Sequence, residues 1–134
     1  MIKTKIALVI FIILFGYCSN AQSLKTLDQL EESYQACLDK GINMLGCSEA
    51  YYLQMDSMLN VVYKQYRAKL NSSLRSKLKT DQIKWLSSRD NYFKNIILDS
   101  EEQALSKEDK EMVIIDKKAQ FVRDRVIELL KKCN

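Results

Sequence analysis

The sequence predicts an all-α fold, an antiparallel up-down-up-down bundle of about four helices with a disulfide stapling its N-terminal hairpin. Three observations lead there. The 134 residues contain no proline and only three glycines, too little punctuation for the many turns of a sandwich or barrel. Apolar residues, 47% of the chain, recur at helical rather than alternating spacing. They do so in four blocks, separated by short stretches where Gly, Ser, Asn or acids cluster. The length suits one hydrophobic core and not two.

The chain opens as an export signal would. Lys3 and Lys5 precede an apolar run from Ile6 to Phe15, and Ser19, Asn20 and Ala21 supply the small and polar residues of a cleavage site. Such a run falls short of the roughly 20 residues that span a bilayer as a helix. Residues 1–21 therefore read as a secretory signal peptide, and 22–134 as a single helical domain with no integral membrane span, periplasmic or secreted. Cys18 raises the alternative of a lipid anchor, but Tyr17 stands where a lipoprotein signal places Gly or Ala. Cleavage after Ala21 lowers the formal net charge from +4 to +2, which gives no electrostatic footprint for nucleic acid.

Each helix follows from its stripe. The first covers about 24–39, with Leu27, Leu30, Tyr34 and Cys37 on one face; the second covers about 48–71, with Tyr52, Leu59, Tyr63, Tyr66 and Leu70. The third, about 74–98, places Leu78, Gln82, Trp85, Arg89, Tyr92 and Ile96 at alternating steps of four and three, a seven-residue repeat that faces one neighbour. The fourth continues that period through Met112, Ile115, Ala119, Val122, Val126, Leu129 and Cys133, with Lys117, Lys118, Arg123, Asp124 and Lys131 on its wet side.

Short connections force neighbouring helices to run antiparallel, so facing residues have numbers that sum to a constant. Pivoting about Ile42 sets Tyr34 against Tyr52 and Cys37 nearly opposite Cys47, so the proposed disulfide ties a hairpin. Pivoting about Ser72 and Ser73 sets Tyr63 against Gln82, Leu59 against Trp85 and Asp56 against Arg89. Pivoting near Ala104 brings Trp85 to Val122 and Ile96 to Met112. Cys133 falls at the far end from Cys37 and Cys47, about 35 Å away along the second helix. It reads as an apolar filler at a helix end, with an intermolecular bridge as the alternative.

Asp56, Gln82 and Arg89 are polar residues on apolar seams. A buried guanidinium needs a carboxylate, so Asp56 and Arg89 are expected to pair, with Tyr63, Gln82 and Trp85 beside them as a structural polar seam. Read chemically, Asp56, Tyr63 and Arg89 offer acid-base groups for a hydrolase, but nothing nearby supplies a nucleophile with an activating base. The chain has no histidine, no Gly-rich phosphate loop and no metal-ligand spacing, so no cofactor, no metal and no catalytic residue is expected. A candidate partner contact is the segment holding Asp99, Glu101, Glu102, Glu108, Asp109 and Glu111, which topology sets beside the loop 38–46.

The run from Met55 to Tyr63, with Leu59-Asn60-Val61-Val62-Tyr63, and the Gln82-x-x-Trp85-x-x-x-Arg89-Asp90 element resemble the LprI-like lysozyme-inhibitor family, with a looser echo at Arg125 and Leu129. The resemblance spans roughly Cys37 to Leu130. The family usually carries a further cysteine after the Arg-Asp pair, where this chain has Tyr92 and Phe93. It implies a helical cell-envelope protein that binds a protein partner, lysozyme or a related wall hydrolase, by occlusion and not catalysis. An envelope assembly protein without lysozyme activity is the alternative.

Overall fold

The structure, a computed structural model, describes residues 20–133. The expected signal segment and Cys18 lie outside the described residues, except that Asn20 and Ala21 already belong to the first helix. Four helices follow in order: α1 (Asn20–Leu38), α2 (Met44–Ala68), α3 (Ser72–Glu101) and α4 (Lys107–Lys132). No described residue lies in a strand. No described helix is long and apolar enough to cross a membrane.

The starts of α2, α3 and α4 are set by side-chain caps. Asn43 caps α2 from a left-handed backbone (φ 53°) and accepts from the Gly46 amide at 3.3 Å, which starts that helix four residues earlier than its apolar stripe suggests. A Cβ at Gly46 would lie 2.4 Å from the Asn43 side chain, so cap and glycine fit as a unit. Asn71 caps α3 by accepting from the Leu74 amide, and Ser106 caps α4 by accepting from that of Asp109. Gly41, at φ 63°, lets the α1–α2 turn pass through the left-handed region.

Alternating helix directions make α2 and α4 parallel, and these two form the most extensive contact among the described helices. Their matching ends meet where Lys69 donates to the Cys133 carbonyl at 3.2 Å. Met55, Leu59 and Val62 of α2 share the core with Ala119, Val122, Val126 and Leu129 of α4, all of them buried. Burying each large side chain of this kind contributes about 1.5–3 kcal/mol. Leu27 of α1 seals one side. On the other side α3, although 30 residues long, buries only Leu78, Ile96 and Ser100.

The α2–α3 joint keeps the expected register but not the expected ion pair. Tyr52 and Phe93 meet edge to face at 6.3 Å, one turn beyond the level of Asp56 and Arg89 on each helix. Asp56 and Arg89 do not pair. α3 leans more on α4 than on α2, so large rings fill the joint and a closer acid wins: Arg89 bonds Asp90 at 2.8 Å and lies 5.8 and 5.7 Å from the Trp85 and Phe93 ring centres.

Candidate functional site

The buried cation of the bundle is Arg125, on α4. Its side chain is 2% exposed, and the guanidinium reaches Asp81 at 2.6 Å, Glu128 at 2.7 Å and the Gln82 amide oxygen at 2.9 and 3.1 Å, while lying over Trp85 at 5.7 Å. Two carboxylates and an amide acceptor give each guanidinium nitrogen a partner. Gln82 thus meets Arg125 instead of Tyr63, which packs half-buried against the core. The Arg125 hydrogen bond, then its charge, holds the Asp81 carboxyl below its ordinary pKa. Burial works to raise that of Glu128, but hydrogen bonds from Lys132 and Arg125 outweigh it and hold it low.

Above this network an aromatic ladder joins α3 to α4. Phe121 stacks with Trp85 at 5.7 Å and with Tyr92 at 4.7 Å, and Phe93 meets it edge-on at 6.2 Å. Lys118 lies 5.2 Å from the Phe93 ring centre. Gln82 and Trp85 therefore dock α3 on α4, whereas the contacts of Arg89 stay within α3. Sequence reasoning gave Arg125 too little weight, although the pivot near Ala104 puts residue 125 or 126 across from Gln82.

The end of the bundle formed by the α1–α2 and α3–α4 connections is built differently. Cys37 and Cys47 are disulfide-bonded, with Cα atoms 5.8 Å apart, and tie the loop that carries Ile42, 77% exposed. Behind it Tyr34 stacks on Tyr51 at 4.3 Å, bonds Ser48 at 3.0 Å and donates to Asp116 at 2.9 Å. Arg123 pairs with Glu31 one level deeper. Burial raises the Tyr34 pKa and pushes that of Tyr51 up to about 12. These bonds fasten α1 to both α2 and α4 and make the loop's base rigid.

Beside the loop, Asp99, Glu101, Glu102, Glu108, Asp109 and Glu111 are all exposed. Asp109 accepts from the Ser106 hydroxyl at 2.7 Å, completing the α4 cap; Glu108 and Asp109 also sit in the first turn of α4, where helix charge favours acids. Lys107 lies 3.9 Å from Glu111, and Lys110 bonds the Glu101 carbonyl and not a carboxylate. Between the loop and α4 runs an open groove of about 500 Å³, lined by Tyr34, Leu38, Met44, Met112, Asp116 and Lys117. Stapled loop, groove and acids share one end. Cys133 lies at the other end, beside Lys69.

Residues 37–129 match the model of a family described as Lysozyme inhibitor LprI. No curated protein and no solved structure gives a match.

Proposed function

The chain belongs to the LprI lysozyme-inhibitor family, and from that premise we propose that it is an exported binding protein that blocks lysozyme or a related wall hydrolase by occlusion and not by catalysis. The observation that carries this reading is the family match across most of the chain, joined to an end that combines a disulfide-tied loop with six exposed acids. Acids clustered on one end favour encounter with a cationic enzyme even though the chain as a whole is slightly basic.

The directions in which burial and ion pairing move these groups agree with a binding role. Tyr34, Tyr51 and Tyr52 are raised by burial, and Asp81 and Glu128 are held low, so none of these groups moves toward neutral pH, where a general acid or base works best. Arg89 is engaged by Asp90, which disperses the Asp56, Tyr63 and Arg89 set that a hydrolase would need.

Titrating the purified chain from Gln22 onward against lysozyme on a cell-wall substrate tests the proposal. Saturable loss of lytic rate at micromolar protein, weakened by Glu101→Gln, Glu102→Gln and Glu108→Gln together, supports it. Full lytic rate throughout would abandon it in favour of an envelope assembly role. The exposed Leu53 and Val61 and the α1–α2 groove of about 360 Å³ lined by Thr26, Leu30, Ser57 and Met58 favour that second reading.

A further inference from the structure

The end opposite the acids is as strongly basic as the first is acidic. Between Val61 and Leu86, the α2–α3 hairpin carries Lys64, Arg67, Lys69, Arg75, Lys77, Lys79 and Lys84 against the single acid Asp81, and α4 ends at the same place with Lys131 and Lys132. All nine cations are exposed. The two acids among them are already engaged, Asp81 with Arg125 and Glu128 with Arg125 and Lys132. Arg75 donates to the Arg67 and Ala68 carbonyls and so closes the end of α2. Lys64, Arg67, Lys77, Lys79, Lys84 and Lys131 form no ion pair among the described residues.

We propose that this basic end docks on an anionic phospholipid bilayer, so that the acidic end points away from the membrane. Charge complementarity is the first argument: clusters of four to eight exposed Lys and Arg are the pattern that anionic lipid surfaces attract. The second is apolar. Leu74, in the first turn of α3, and Leu24, near the start of α1, are each 43% exposed at this end, placed to enter the interface between the lysines. A nucleic acid fits less well, since among the described residues no exposed aromatic side chain stands at this end to stack on bases.

The proposal takes its setting, export, from the function proposed above, but its experiment uses no lysozyme, so each can fail alone. The bundle core and its disulfide lie within residues 23–133, so the chain from Gln22 onward keeps the whole surface while removing the leading apolar run. That chain is sedimented with vesicles of phosphatidylcholine alone and with vesicles containing phosphatidylglycerol. Binding only to the second is expected, weakened at least about tenfold by molar salt or by Lys64→Glu, Lys77→Glu and Lys79→Glu together. The Glu101→Gln, Glu102→Gln and Glu108→Gln variant should bind as the parent does. Equal binding to neutral vesicles, no binding to either, unchanged binding of a folded triple-lysine variant, or retention on RNA without vesicle binding would overturn the proposal.

Discussion

The two flanks of α4 are held by different physics. Toward α2 it presents Ala119, Val122, Val126 and Leu129, each with 0% exposure; toward α3 it presents a satisfied guanidinium and stacked rings. The first flank provides the folding energy. The second positions a long helix that has little apolar surface to bury, and a polar, ring-rich contact fixes register where hydrophobic packing alone would let α3 slide. Of the residues that carry the family resemblance, Gln82 and Trp85 lie on this second flank.

Leu129→Ala should be the most damaging single change, costing about 2–5 kcal/mol by denaturant unfolding, because the α2–α4 core has no room to collapse. Cys37→Ser should cost about 2–3 kcal/mol under oxidising conditions and nothing when the parent is measured reduced. Arg125→Met keeps the apolar stem but loses the charged hydrogen bonds, for an expected cost of about 1–3 kcal/mol. If it equalled Leu129→Ala, the contrast between the flanks would disappear. Ile83→Ala, on the exposed side of α3, should stay within about 0.5 kcal/mol.

Arg125 also sets a pH dependence. Asp81 and Glu128 are held below their ordinary values, so their contribution is complete above about pH 4 to 5 and is lost as the pH falls through the depressed values. Both carboxylates are nearly half exposed, so screening keeps the effect small. Stability measured from pH 6 down to pH 3 should fall less steeply in Arg125→Met than in the parent. An unchanged slope would remove Arg125 from that role.

Much of this was legible in the sequence because helical periodicity and short loops constrain neighbours strongly. The pivot about Ile42 anticipates the Cys37–Cys47 bond and brings Tyr34 to Tyr51, next to the expected Tyr52; the pivot near Ala104 brings Trp85 to Phe121, next to the expected Val122. The same arithmetic treats only consecutive helices, so it is blind to the parallel α2–α4 contact, the largest one. That contact explains the main error. A helix with three neighbours has little wet side: Arg123, assigned to solvent, is half-buried on Glu31; Lys118 covers Phe93; and Arg125 is the cation that needed a partner. The charge separation escaped for another reason. A net charge of +2 averages an acidic end and a basic end that only the up-down topology pulls apart.

The division of labour between flank and end is tested most directly by comparing two variants in one lysozyme titration, with melting curves recorded alongside. Glu101→Gln, Glu102→Gln and Glu108→Gln together should lose inhibition at unchanged melting temperature, whereas Arg89→Ala, once folded, should inhibit as the parent does. Undiminished inhibition by the first, with inhibition lost in a fully folded Arg89→Ala, would move the binding site onto α3 and contradict the account.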